Sequence, residues 1–491
     1  MKRIFIAITI IISVLSCSKN NDDDENPFLF AGSDYTGSDL NLRINDFIWK
    51  GLNTYYLWQP EVANLQDNRF GSLANTKADK NHTYTTFLKS NLNHTDFFNN
   101  LLYRKGTTDR FSYITDDYVK LENQFKGITA STGMDEAYVQ FNNAGTVMGI
   151  VRYVIPNSDA DRQGVQRGDV FLEINGTPIT KQNLGSLLSS SVYSFDIYRF
   201  DEDGDLNFTG KSVTLHNTAT PENPVLITKV IQQDNHRIGY LMYNAFISDY
   251  DKALNDAFAY LKNQNITDLV LDLRYNGGGS VQTAIYLASM ITGQFSGQVF
   301  AKEKWNTKMQ DIVAQQGKTI NYFLENMTDG TPLNHLRMNK LYVLTTSRTA
   351  SASELLINGL KPYINVVQIG QTTTGKNQGS ITIYDYIDRK QQTKNPKHKW
   401  AMQPLVLKIE NAAGVGDYVT GLTPTIAINK ENYTKLGTLG DPTEPFLSKA
   451  IEHITGRQAS RTSRTAPQPT PDYQLITTQK SQYLGYNEMY K

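Results

Sequence analysis

The chain has 491 residues, 39% of them hydrophobic, with 28 Tyr and 21 Phe; this excludes a disordered protein and is too long for one ordinary domain. Lys plus Arg and Asp plus Glu each number 48, so the basic surplus of a general nucleic-acid binder is absent. Cys17 is the only cysteine, which excludes an intrachain disulfide or a thiolate metal site.

Lys2 and Arg3 precede an apolar run from Ile4 to Leu15. That run is short for a membrane span and reads as a signal-peptide core. It ends in Val14-Leu15-Ser16-Cys17, which resembles a bacterial lipobox. The resemblance implies a signal peptide over 1–17, lipidation of Cys17, and an exported protein anchored to the outer membrane on its periplasmic or cell-surface face. The acidic stretch Ser18–Glu25 opens a solvated tether over 18–39 and is similar to the export tags of Bacteroidetes surface lipoproteins.

Over 40–105, Leu40, Leu42, Ile44, Phe47, Ile48, Leu52 and Tyr55 recur on one helical face, and Tyr84 to Tyr103 repeats the pattern more weakly. A small N-terminal helical domain is expected there. Residues 106–217 change to short alternating strands. Gly149–Ile155 is a strand, Asn157-Ser158-Asp159-Ala160 opens a short helix, and Asn175-Gly176 marks a hairpin turn. The string from Ser158 to Gly176 resembles the second half of a PDZ domain, a module that captures peptide C-termini by adding them to a sheet edge. That resemblance makes Ser131-Thr132-Gly133-Met134, ahead of Tyr138–Phe141, the candidate peptide-binding loop.

Residues 218–457 alternate strands and helices, the mark of an α/β core. Strands are expected at Ile238–Tyr243, Leu269–Leu273, Leu341–Leu344 and Val366–Ile369, and helices at Asp251–Leu261, Ser280–Met290 and about Ala352–Leu360. The tail over 458–491 is rich in Thr, Ser, Pro and Gln and reads as loosely ordered.

Two segments carry chemistry. Thr346–Leu355 places Ser351 at a strand-to-helix turn, where helix N–H groups can stabilise an oxyanion. By itself a Ser ahead of Glu354 is more often a helix cap. Gly370–Lys376 spells G-x-x-x-x-G-K, but Asn377 stands where a phosphate loop needs Ser or Thr, and Ser380–Tyr384 alternates like a strand, so nucleotide binding is excluded. No G-x-S-x-G elbow exists, and none of the seven histidines lies near the Ser351 segment.

Taken together, Ser351-Ala352-Ser353-Glu354, the Gly375-Lys376 pair 25 positions after Ser351, and Leu273–Gly279 (L-R-x-N-G-G-G) resemble the catalytic core of the C-terminal processing peptidases, or tail-specific proteases. The resemblance spans about 110–430. It implies an α/β catalytic core of crotonase/ClpP-like ββα architecture, preceded by a PDZ domain and an N-terminal helical domain. It further implies a serine peptidase acting on polypeptides held by their C-termini, with Ser351 as nucleophile and Lys376 as general base. A free lysine has a pKa of about 10.4, and burial lowers it by up to ~3–5 pH units, enough to make it a base. Ala352 with Gly277 or Gly278 would supply the oxyanion donors. No metal or cofactor is implied. The family places Gln four positions after the lysine; here that residue is Ser380, with Gln378 as a neighbouring substitute. The departure leaves open a non-catalytic, peptide-binding lipoprotein of the same fold.

Overall fold

The computed structural model describes residues 32–72, 76–77, 80–141, 146–388, 390–457 and 472–491. The signal peptide, Cys17 and the acidic run lie outside the described residues. Among the described residues no helix is long and apolar enough to cross a membrane.

Helix α1 (Leu40–Tyr55) starts where the Asp39 carboxylate accepts from the Asn41 and Leu42 amides. Its apolar stripe, Ile44, Phe47, Ile48 and Leu52, is buried, and so are Asn45, Asp46 and Trp49 on the other faces. A helix buried all round needs partners on several sides. Helices α2 (His82–Leu88) and α3 (His94–Asn99) cover one side, with the Tyr84 hydroxyl donating to Asp46 at 2.6 Å. The α/β core covers the other: a Cβ on Gly51 would meet Met402 Cε at 2.2 Å. Phe47, Ile48 and Leu52 share one apolar cluster with Leu269, Leu356 and Val406. The expected N-terminal helical unit thus packs directly against the core.

Residues 106–127, grouped with the PDZ-like stretch in the sequence reading, also belong to the core. Strand β1 (Tyr113–Thr115) pairs with 401–403, and helix α4 (Tyr118–Phe125) follows it. The PDZ unit itself begins at β2 (Ile128–Ser131) and continues through β3 (Met134–Phe141), β4 (Met148–Val154), α5 (Asp159–Arg162), β5 (Val170–Phe171), β6 (Val192–Phe200) and β7 (Leu206–His216). The Asn175-Gly176 turn has positive φ at both residues, 53° and 71°, and joins Glu173–Ile174 to Thr177–Pro178 as a hairpin. Strand β8 (Thr218–Pro221) returns to pair with β2.

The core sheet runs β9 (Val225–Gln233), β10 (His236–Tyr243), β11 (Asp268–Asp272), β14 (Lys340–Thr345), β15 (Asn365–Gly370), then Ile426–Ala427. All neighbours after the β9–β10 hairpin are parallel. Alternate residues face opposite sides: Leu269, Leu271, Leu341 and Val343 join one cluster, Val270, Tyr342 and Leu344 the other. Helices α6 (Asp251–Asn263), α7 (Val281–Thr292) and α8 (Ala352–Leu360) cover the first face, and α9 (Pro445–Thr455) the second. Burial on both faces explains the continuous apolar runs of these strands.

A second sheet closes the core, in the order β12 (Gly279–Ser280), β20 (Met489–Tyr490), β16 (Gln378–Ser380), β18 (Leu405–Asn411), β13 (Val299–Trp305) and Ile320–Tyr322; β17 (Ala401–Gln403) is the strand that pairs with β1. Where the sequence suggested one strand over Ser380–Tyr384, the structure has β16 ending at Ser380 and a separate pair at Ile383–Tyr384. The stretch 458–471 lies outside the described residues, whereas 473–491, expected to be loosely ordered, is built into two sheets. Strand β19 (Tyr473–Thr478) adds to β3 at the edge of the PDZ sheet, and β20 lies inside the closing sheet.

Candidate active site

Strands β11, β14 and β15 are adjacent and parallel, so the turns at their C-terminal ends meet. Those turns are Leu273–Gly279, Thr346–Ser351 and Gln371–Lys376, the three motif segments. Ligand sites of open α/β sheets form at such strand ends.

Buried polar contacts lock the three turns together. Arg274 is fully buried, its guanidinium bonded to Asp272 and to Glu444 at 2.6 and 2.9 Å. The Thr346 hydroxyl donates to Arg274 O at 2.5 Å and Thr349 Oγ1 to Leu273 O at 2.8 Å. Asn276 donates to Tyr243 O and receives the Gly278 N–H at 2.8 Å and the Ala350 N–H at 3.2 Å.

Ser351 has φ 66° and ψ −115°, a conformation a β-carbon disfavours. Helix α8 begins at the next residue, Ala352. Ser351 is fully buried, and its hydroxyl has no hydrogen-bond partner among the described residues. Gly278 abuts it: at φ 118°, a Cβ there would lie 2.7 Å from Ser351 Cβ and 3.0 Å from Ala352 N. Only glycine admits that approach. Gly277 faces the segment 473–491, with its would-be Cβ 2.4 Å from Tyr486 O.

Glu354 joins the serine turn to the lysine loop. Its carboxylate accepts the Ser351 and Lys376 N–H groups at 2.8 Å each, the Gly375 N–H at 2.7 Å and the Thr373 hydroxyl at 2.5 Å. Burial pushes its pKa up, and these four donors oppose the shift. In the sequence Glu354 is legible only as part of a helix cap and of the Ser351–Glu354 motif. Nothing local shows that it also binds a loop 19–22 residues onward.

Lys376 is fully buried, with its ammonium 4.9 Å from the centroid of the Phe111 ring. Desolvation pulls its pKa below the ordinary lysine value, while Glu488, Asp109 and Glu354 act in the opposite direction. Its Nζ donates to Asn487 O at 2.6 Å and to Glu488 Oε1 at 3.0 Å. Ser380 Oγ donates to the same Glu488 oxygen and accepts from Gln403 Nε2 at 3.0 Å. Glu488 itself is buried, and burial raises its pKa against the lowering effect of Lys376. Gln378 is buried, its Oε1 without a partner among the described residues. Glu488, Asn487 and Gln403 are site residues that the sequence reading missed; each arrives from a distant element and carries no motif.

The loop Ser131-Thr132-Gly133-Met134 is closed upon itself. The Gly133 N–H donates to Ser131 Oγ at 2.9 Å, Thr132 O accepts from Ala160 N at 3.0 Å, and Gly133 O accepts from Ile155 N at 2.7 Å. All but Gly133 are at most 2% exposed. The Gly133 N–H and the Thr132 and Gly133 carbonyls are thus bonded within the PDZ unit, while Thr132 Oγ1 is buried with no partner among the described residues. The histidines bond elsewhere, His94 to Asn45, His236 to Asp268, His398 to Asp385 and His335 to Ser289 O. No cluster of potential metal ligands occurs among the described residues.

An α/β core with a PDZ module and a buried serine and lysine at its strand ends is thus the class that fold and site define. Residues 237–403 match the description "Peptidase family S41", 43–113 match "Peptidase S41 N-terminal domain", and 150–194 match "PDZ domain". Residues 237–403 therefore carry a peptidase family S41 domain, preceded by a match to that family's N-terminal domain and by a PDZ domain. It is 26% identical over 289 residues to a chloroplastic C-terminal processing peptidase of Tetradesmus obliquus, covering 56% of each chain. It is 24% identical over 329 residues to the carboxy-terminal processing protease CtpB of Bacillus subtilis, covering 65% of this chain and 58% of that one. The chain thus spans a little over half the length of these relatives. A solved structure from Bacteroides fragilis NCTC 9343, assigned to the S41 proteases, superposes with a TM-score of 0.61 at 23% identity, covering 84% of this chain and 97% of that one. This last likeness shows the fold.

Proposed function

We propose that the chain is a serine endopeptidase of the C-terminal processing type, with Ser351 as nucleophile and Lys376 as general base. The observation that carries the reading is the fully buried Lys376, its pKa depressed by desolvation, tied through Glu354 to the strained Ser351 turn. A neutral Lys376 amine takes the Ser351 proton as Oγ attacks the scissile carbonyl carbon. The tetrahedral oxyanion receives the Ala352 N–H at the α8 start and an N–H of the Gly277–Gly278 turn. Collapse expels the amine half, which takes the proton back from Lys376. Water then hydrolyses the Ser351 ester. Ser380, held by Gln403, reaches Lys376 through the Glu488 oxygen that both bond. Polypeptides are the substrates, engaged through the β3 edge of the PDZ unit. The α/β core with its parallel strands and covering helices supports the crotonase/ClpP-like assignment.

Cleavage of an unfolded polypeptide by the purified chain tests this. Ser351→Ala and Lys376→Ala should each abolish cleavage, and full activity in either variant rejects the dyad. Because the amine must be neutral, kcat should rise with pH through a pKa below the ordinary lysine value. We further propose export and anchoring through lipid on Cys17. Metabolic labelling with a radioactive fatty acid should mark the chain and vanish in Cys17→Ala.

A further inference from the structure

The groove this chemistry requires is occupied by the chain's own segment 473–491. Strand β19 runs antiparallel to β3, from Tyr473 opposite Phe141 to Thr478 opposite Ala137. Its direction is therefore toward the loop 131–134, the polarity a captured peptide would have on that edge. Residues 486–490 then cross the active site. Gly279 N–H donates to Glu488 O at 2.7 Å, and β20 pairs with β12 on one side and with Ser380 of β16 on the other. Met489 is fully buried in the main apolar cluster, and Tyr490 stacks on Phe125 at 4.3 Å. A cavity of about 90 Å³ beside this strand is lined by Phe246, Gly277, Gly278, Tyr486 and Glu488.

Two features separate this strand from ordinary sheet structure. Strands β12 and β16 meet only through β20, so its departure opens a slot with backbone donors and acceptors on both walls. It also engages the candidate base: Lys376 Nζ is spent on Asn487 O and Glu488, while Ser351 Oγ has no partner among the described residues.

We propose that residues 473–491 are an intramolecular peptide ligand lying along the substrate track, which diverts Lys376 from Ser351 and must be displaced by an incoming polypeptide. The proposal rests on the reading of Ser351 and Lys376 as the catalytic pair. Strand exchange suits the geometry, because a substrate would remake the same backbone bonds that the segment gives up. The Glu488 carboxylate also favours the charged lysine, the form that cannot accept a proton. Tethering gives the segment an effective concentration on the order of millimolar, so a free peptide of the same sequence competes poorly with it.

The test uses the full chain, Met489→Asp, and a fluorescein-labelled peptide of sequence Leu484–Lys491. The aspartate cannot enter the apolar site, so the segment should leave. Fluorescence anisotropy should show the peptide binding the variant at least tenfold more tightly than wild type. Cleavage of an unfolded polypeptide should be at least tenfold faster in the variant and be inhibited competitively by unlabelled peptide. Tyr490→Ala, which removes the stacking contact alone, should shift both readouts in the same direction and serves if Met489→Asp does not fold. Equal peptide binding to wild type and variants, or none to any, overturns the proposal. Differential binding without cleavage by any form would retain it and reject the peptidase reading. Cleavage at equal rates with equal binding would do the reverse.

Discussion

Replacing Glu354 by alanine should disassemble the active site while the rest of the core stands. The carboxylate satisfies three buried N–H groups, of Ser351, Gly375 and Lys376, and the Thr373 hydroxyl. Each buried donor left without a partner costs ~1–3 kcal/mol. Three such amides set a range of roughly 3–9 kcal/mol, and relaxation or water entry places the outcome near the lower part, at about 4 kcal/mol. Against this runs the cost of burying the carboxylate, visible in its raised pKa. Glu354→Gln keeps the shape but turns an N–H donor toward N–H donors, so about 2 kcal/mol is expected. Hydrogen exchange of the Ser351, Gly375 and Lys376 amides reads the effect locally. A loss of about 4 kcal/mol accelerates exchange by roughly three orders of magnitude. Activity should fall at least a hundredfold in Glu354→Ala. Whatever activity remains in Glu354→Gln should appear at lower pH, since Glu354 raises the Lys376 pKa. Wild-type exchange rates at these amides in Glu354→Ala would refute the account of Glu354 as the junction of the two loops.

Gly278→Ala should reduce kcat at least a hundredfold, because the new methyl meets Ser351 Cβ at 2.7 Å on a backbone at φ 118°. Gly204→Ala, at φ 90° in open space, is the control and should cost only about 1 kcal/mol with activity intact. Glu136 of β3 is fully buried with its pKa pushed up to about 8, chiefly by desolvation and then by Asp135. A raised carboxylate pKa means that the folded chain holds a proton the unfolded chain has lost. Stability should therefore fall as pH rises from the ordinary glutamate range through about 8. Glu136→Gln should remove that slope, as measured by denaturant titration across pH.

Much of the core was legible in local sequence. Apolar runs and turn residues locate the strands at β11, β14 and β15, and α8 falls on Ala352–Leu360 as its pattern indicates. Asn175-Gly176 marked its hairpin because few other dipeptides accept positive φ at both residues. These features depend on period and backbone sterics, which neighbouring residues set. Long-range pairing adds contacts that local patterns do not report. Residues 106–127 join the core because β1 pairs with a strand nearly 290 residues later, which no local pattern reports. The helical region merges with the core because α1 is buried on faces that are polar in sequence.

At the site itself, the sequence by itself determined three motifs and their spacing, and from these a serine, a lysine and a glycine turn. Tertiary structure decided how they meet: adjacent parallel strands bring their C-terminal turns together, and the Glu354 carboxylate bolts two of them. It also decided what touches Lys376. Glu488 lies 112 residues away in a stretch whose composition is that of a loose tail. Its burial there comes from a slot between two strand edges, and such a slot exists only once the sheet has formed.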